Sequence, residues 1–297
     1  MLYGRERFFM TGNILIFVTD QRQEHLAEYL PGKVRSLDWR RGVAGSEALA
    51  VLEDVDRIIF PTPVSKVEKN YEVYKLLKEE LTKEYVKKWC VYGGVISPVW
   101  RQRFEDAGVT WYDLMEDAAV IHRNAKITAE ATVAEILKYS AYSIRDQKII
   151  VCGYGKCGRE IANLLGAMGA KVTVLARSVE ARRLARCEGH EAVDFSYAPE
   201  EAYGARTIVN TVPAQVVREP FIREMHEDAV IIDIASRPGG TDLMAAEVYG
   251  IKVVPALGLP GKYTTKSSSK VLADAIRNTG PMQDRKEEKS WIFQIAI

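Results

Sequence analysis

The segment Ile149-Ile150-Val151-Cys152-Gly153-Tyr154-Gly155-Lys156-Cys157-Gly158 carries an apolar strand straight into a Gly-x-Gly-x-x-Gly turn. The pattern that follows is helical, with Ile161, Leu164, Leu165 and Met168 on one face and Gly169 placed to close the helix. A glycine triplet alone constrains little. Between a strand and a helix it constrains a great deal. Gly153 permits the tight turn, Gly155 lets the backbone approach a pyrophosphate, and Gly158 lets the helix pack closely on the strand. The first helical turn then offers unpaired N–H groups and partial positive charge to the phosphates. Tyr154, Lys156 and Cys157 fill the positions between the glycines and count as cofactor-binding candidates with them.

Around this unit, apolar runs of strand length alternate with helix-length segments, which predicts parallel α/β architecture. In the second half, strands are expected at 148–152, 171–175, 206–211, 229–234 and 251–254, with a short one near 192–193. In the first half they are expected at 13–19, 57–60, 89–92 and 109–112, with helices at 21–30, 70–88 and 98–107. A linker helix is expected over 128–143, its apolar face made by Ile136, Leu137, Ala141 and Tyr142. The predicted fold is α/β with two Rossmann-like or flavodoxin-like domains, each on a parallel sheet, joined by linker helices. Residues 1–127 form the first domain, completed by a C-terminal helix at 262–279. Residues 128–261 form the dinucleotide domain, and 280–297 a separate tail.

The second strand of a dinucleotide domain ends in an acid when the ribose 2′-hydroxyl must be held. Here it ends Leu175-Ala176-Arg177-Ser178. Arg177 lies where a guanidinium could grip a 2′-phosphate, Ser178 could add a hydrogen bond, and Arg182 and Arg183 could add charge. The expected cofactor is NADP(H). Two further strand ends, Asn210-Thr211-Val212-Pro213 and the Ala235-Ser236 turn, are expected to face the same ligand.

Composition excludes several classes. With 41 basic against 40 acidic residues the net charge is +1, so no global field favours nucleic acid or an anionic membrane. The run Ile14–Val18 is too short for a signal-peptide core or a membrane span. The four cysteines form no CxxC pair, no metal site is expected, and a reducing cytoplasm is the expected location.

At Asp233-Ile234-Ala235-Ser236-Arg237-Pro238-Gly239-Gly240-Thr241-Asp242, then Gly258-Leu259-Pro260-Gly261 and Lys266, the sequence resembles the family of dipicolinate synthase A-subunits. The likeness extends back through the glycine loop, the Asn210–Pro213 turn, Asn124 and Thr128-Ala129-Glu130, and more faintly Asp20-Gln21-Arg22-Gln23, covering about 12–278. The resemblance implies an NADP-dependent oxidation of a dihydrodipicolinate-type ring to dipicolinate. It implies the cytoplasm of a sporulating mother cell and a branch of the lysine/diaminopimelate route. It also implies a partner, the flavoprotein-like B-subunit of the same synthase. A homodimer is compatible with the chain as well.

A dicarboxylate substrate needs cations, and Arg237, Lys266 and Arg22 are the candidates. Glu130, expected near the start of the linker helix, is a candidate base or substrate-orienting carboxylate. Its alternative role is to complement the helix dipole. One rival is an NADP-dependent 2-hydroxyacid dehydrogenase-like enzyme, which needs an acid/base, normally a histidine beyond the last strands. The chain has only His25, His122, His190 and His226, none within 255–269. Another rival is a non-catalytic NADP-sensing regulatory protein.

Overall fold

The computed structural model describes residues 13–38, 52 and 54–279, so the expected tail at 280–297 lies outside the described residues. The described residues fall into two compact units: those up to 121 together with 265–279, and 122–264.

The first unit holds β1 (Asn13–Val18), β2 (Lys33–Asp38), β3 (Arg57–Ile59), β4 (Cys90–Gly93) and β5 (Thr110–Asp113), all parallel, in the order β2-β1-β3-β4-β5. β1 is buried almost end to end because it is central. β2 is an addition to the expected strands. At the sheet edge it buries only Leu37 and carries Lys33, Arg35 and Asp38, so no apolar run marks it. Phe17, Phe60, Trp100 and Phe104 pack ring against ring beneath the sheet.

The expected helix over 70–88 ends sooner. Asn70 caps the helix Tyr71–Glu80 through a bond from Val73 N, and a separate 3₁₀ turn covers Glu84–Lys88. The helix Thr265–Asn278 packs against the helix Gln21–Leu26, and Ser269 Oγ donates to the Arg22 carbonyl. Buried Ser268 and Ser269 thus serve packing.

The helix that crosses the unit boundary runs Ala118–Tyr139, so the expected span 128–143 is corrected at both ends. Asp117 starts it by accepting from Ala119 N and Val120 N. Its buried stripe is Ala125, Ala129, Thr132 and Ile136, at helical spacing. Leu137 is 57% exposed, and Ala141 and Tyr142 lie past the helix end.

The second unit holds β6 (Lys148–Cys152), β7 (Lys171–Leu175), β8 (Glu191–Val193), β9 (Thr207–Asn210), β10 (Val230–Asp233) and β11 (Lys252–Pro255). They are parallel, in the order β11-β10-β9-β6-β7-β8. Alternate residues feed two cores. Ile149, Val151, Val209, Val230 and Ile232 face one, while Ile150, Cys152, Ile208 and Ile231 face the other.

Behind the glycine loop, Glu188 gathers Arg159, the Tyr154 hydroxyl at 2.6 Å and Asn163 Nδ2 at 3.1 Å. The Arg159 hydrogen bond, outweighing burial and helped by Tyr154, holds the Glu188 carboxyl down at about 2. A carboxylate lowered on folding stabilises the native state above its unfolded pKa and loses that contribution as pH falls through the folded value. Stability should therefore decline from pH near 4.5 towards about 2 through this group. Denaturant melts of Glu188→Gln should show lower stability at neutral pH than wild type and a shallower acid limb. Parallel pH profiles for the two proteins would reject this role.

Candidate functional site

Register aligns the strand ends of the second sheet. Leu175, Cys152, Asn210, Asp233 and Pro255 pair across β7, β6, β9, β10 and β11 at their C-terminal ends. The loops expected to touch ligand all leave from this row, at the edge where open α/β sheets collect ligands.

The glycine loop leaves β6 with Gly153 at φ 93°, and its N–H reaches the Leu175 carbonyl at 2.8 Å. A Cβ on Gly158 would stand 2.3 Å from the Gly153 carbonyl oxygen, so the helix Lys156–Ala167 meets the turn with no room for a side chain. Gly155 differs: a Cβ there would meet nothing within 4 Å. It is the N-cap of that helix, yet no side chain caps it. The N–H groups of Lys156, Cys157 and Gly158 have no hydrogen-bond acceptor among the described residues. Open space over a glycine and unclaimed donors fit a pyrophosphate.

The other loop residues have separate roles. The Tyr154 ring is 8% exposed, packs in the core and donates to Glu188, so only its backbone belongs to the loop's open side. Lys156 is exposed. Cys157 is partly buried; burial raises its thiol pKa, partly offset by a hydrogen bond with Thr128.

At the β7 end, Arg177 is exposed, and its side chain makes no hydrogen bond or ion pair with a described residue. Only its carbonyl is engaged, by Arg182 Nη1 at 2.7 Å. Arg182 also holds the Ala176 carbonyl and Asp194 Oδ2, each at 2.6 Å. This corrects the expectation that Arg182 adds free charge: it is a brace, neutralised by Asp194. Ser178 Oγ is likewise taken, accepting from Ala181 N at 3.0 Å as the N-cap of the helix Val179–Cys187. Arg177 and exposed Arg183 supply the loose charge at this edge.

Asn210 is fully buried and works as a splint. Its Nδ2 donates to Asp233 Oδ1 at 2.9 Å and to the Val212 carbonyl at 3.2 Å, while its Oδ1 accepts from Val212 N. Thr211 Oγ1 donates to the Cys152 carbonyl at 2.8 Å. Val212 is partly buried and Pro213 exposed, so these two residues offer surface while Asn210 shapes it.

Asp233, not among the expected site residues, organises the next loop. It accepts from Asn210 Nδ2, Ala235 N, Gly240 N and Thr241 Oγ1, at 2.8–3.1 Å. The signal was in the sequence as an acid closing the apolar strand Val230-Ile231-Ile232-Asp233. The ordered loop buries Ala235 and exposes Ser236 and Arg237. Arg237 has no partner among the described residues and stands as an available cation.

The remaining candidates fall in other settings. Glu130 is exposed about three turns into its helix, so it does not complement the helix N-terminus. Lys266 pairs with Glu28 at 3.3 Å, which His25 also engages at 2.8 Å. Arg22 is 7% exposed, and its Nε and Nη2 face both oxygens of Asp20 at 3.1 and 2.9 Å. Its fork is occupied. No group of His, Cys, Asp and Glu among the described residues is arranged to hold a metal ion, and no described helix is long and apolar enough to cross a membrane.

Residues 114–239 match the D-isomer specific 2-hydroxyacid dehydrogenase NAD binding domain family. That match identifies the glycine loop as part of a nicotinamide-nucleotide domain. The chain is 30% identical over 233 residues to the dipicolinate synthase A-subunit of Bacillus subtilis, covering 75% of this chain and 77% of that one. The crystal structure of the corresponding A-subunit from Bacillus halodurans superposes with a TM-score of 0.70 at 25% identity, covering 91% of this chain and 98% of the other. A transhydrogenase from Sinorhizobium meliloti, at 16% identity and a TM-score of 0.61 over 89% of this chain and 92% of its own, shares the fold. On the strength of the glycine loop, the strand-end row and these likenesses, the chain belongs to the family of dipicolinate synthase A-subunits.

Proposed function

We propose that this protein is the NADP-binding redox subunit of a dipicolinate synthase. It would oxidise a dihydrodipicolinate-type ring to dipicolinate in the cytoplasm of a sporulating cell, together with a flavoprotein-like B-subunit. The observation that carries the reading is the uncapped helix N-terminus over Gly155, open to a pyrophosphate, in a chain of this family. Bound there, NADP⁺ supplies a hydride acceptor. Substrate loses a hydride and a proton, the products being dipicolinate, NADPH and H⁺.

The chain's own groups divide the work. The Lys156, Cys157 and Gly158 N–H groups hold the pyrophosphate, and Arg177 grips the 2′-phosphate. The surface at Val212, Pro213 and Ser236 borders the nicotinamide half, on loops shaped by Asn210, Thr211 and Ala235. Arg237 pairs with a substrate carboxylate. The family match to hydroxyacid dehydrogenases extends to the nucleotide domain, but the acid/base histidine of alcohol oxidation is missing from the second sheet's described strand-end loops. His190 precedes β8 and bonds Asn163 at 2.7 Å, and His226 precedes β10.

Incubating the protein with dihydrodipicolinate and NADP⁺, with and without the B-subunit, tests the proposal through the absorbance of reduced nicotinamide. Steady reduction is expected. Turnover of 2-hydroxy acids instead, or cofactor binding without turnover even when both subunits are present, would overturn it.

Two variants test the residue roles. Arg177→Ala should weaken NADP(H) by about 1.5–3 kcal/mol, roughly ten- to a hundredfold, as expected for hydrogen bonds to a charged group. NAD(H) affinity should stay nearly constant, and an equal loss for both cofactors in a titration would reject the role. Arg237→Ala should lower kcat/KM by about 2–4 kcal/mol, the cost of stripping one partner from a charged pair, while leaving NADP(H) affinity intact. Unchanged turnover would remove Arg237 from the site.

A further inference from the structure

In the first unit the chain leaves β1 towards β2 on one side, while β3 pairs on the other, so the order β2-β1-β3-β4-β5 reverses between β1 and β3. Such a reversal splays two loops apart at the C-terminal ends of the strands, and ligands of open parallel sheets bind there. Here the loops are Thr19–Asp20, after β1, and the turn Val64–Lys69, after β3.

The groups meeting at this point do not balance in charge. Asp20 is the carboxylate of the cluster, and both its oxygens face Arg22. Lys66 reaches the same carboxylate only at 3.6 Å and Thr19 Oγ1 at 3.5 Å. The Thr19 hydroxyl in turn donates to Gln23 Oε1, which also accepts from the Thr19 and Asp20 N–H groups. Each of these polar groups has a close partner except the ammonium, which shares an anion already saturated by a stronger one. Burial raises the Asp20 carboxyl, but Arg22 and then Lys66 outweigh it and hold it below the ordinary carboxylate range. Burial also lowers the Lys66 ammonium, and the Asp20 charge offsets this only in part. Among the described residues, Asp20 is the one carboxylate that offsets both Arg22 and Lys66, and the Lys66 side chain is 30% exposed. A second anion beside it would relieve the imbalance.

We propose that the β1/β3 switch point of the first unit is a carboxylate-binding subsite in which Lys66 is the direct ligand and Arg22, locked on Asp20, is a positioning residue. The occupant is one carboxylate of an aromatic or dihydroaromatic dicarboxylate. The subsite thus rests on the function proposed above and names a residue that its sequence motifs do not contain.

Titrating pyridine-2,6-dicarboxylate into the full chain in the presence of NADP(H), by calorimetry, tests it. Lys66→Met should weaken dicarboxylate binding roughly ten- to a hundredfold. Lys66→Arg, which keeps the charge, should recover most of it. NADP(H) affinity and the unfolding midpoint should match wild type in both. Wild-type affinity in Lys66→Met would overturn the subsite and leave the proposed function standing. Equal loss in both variants with a lowered unfolding midpoint would also overturn it, in favour of a purely structural lysine. If wild type itself bound no dicarboxylate, the subsite would fall, and the turnover assay with both subunits would decide the function separately.

Discussion

The buried Asp233 carboxylate is the constraint on which the nucleotide end of the second unit depends. It is 8% exposed and accepts from four donors, all neutral: a side-chain amide, two backbone N–H groups and a hydroxyl. A buried charge is tolerated only when fully hydrogen-bonded. The backbone after β10 must therefore fold back until Ala235, Gly240 and Thr241 all reach it. That closure presses Gly240 so near Asn210 that a Cβ would stand 2.3 Å from Nδ2 and 2.4 Å from the Val212 carbonyl. One acid thus fixes the mutual position of the β9 and β10 loops. It also keeps its neighbour quiet, because burial and the Asp233 charge push the Cys152 thiol far up.

The first unit uses the same device with a different charge. Asp113, at the end of β5, accepts from Val95, Ile96 and Met115 N–H groups and so shapes the loop after β4. Here a cation takes part: Arg101 reaches Asp113 at 3.2 Å and Glu116 at 2.6 Å. At the β1 end, Asp20 is likewise held by a guanidinium. Neutral donors around Asp233 leave the loop after β10 free of competing cations, so Arg237 stands unpaired there among the described residues. With Arg22 on both oxygens of Asp20, Lys66 is left the more distant partner of that carboxylate, at 3.6 Å.

How much of this is legible in the sequence follows from burial. Central strands buried on both faces, such as β1, β6, β9 and β10, read as apolar runs and lie within a residue or two of their expected bounds. β2 leaves no such trace because one side of an edge strand faces solvent. The long helix is displaced from its expected span because its buried stripe begins with alanines and a threonine, while its most apolar stretch includes exposed Leu137. Only the Asp117 cap marks its true start. Gly153, Gly155 and Gly158 are legible because their roles follow from backbone geometry. Side-chain roles are not: Arg22, Arg182 and Arg177 look alike in sequence, yet carboxylates occupy the first two and leave the third unclaimed.

Charge balance of this kind also bears on the chemistry. Oxidising a hydroxy acid asks for a base to take the alcohol proton. Aromatising a dicarboxylate ring deprotonates no alcohol and asks instead for cations to hold a dianion. Each histidine of this chain has a local partner: His25 with Glu28, His122 with Glu160, His190 with Asn163, and His226 with Asp228. Burial lowers the His190 pKa, although the Glu188 charge opposes it, so this ring favours the neutral form. In the second unit, by contrast, Arg237 after β10 is exposed and has no partner among the described residues. A strand-end loop with an unpaired cation and no histidine is suited to hold an anion rather than to take a proton, and that contrast is read from residues outside the glycine loop.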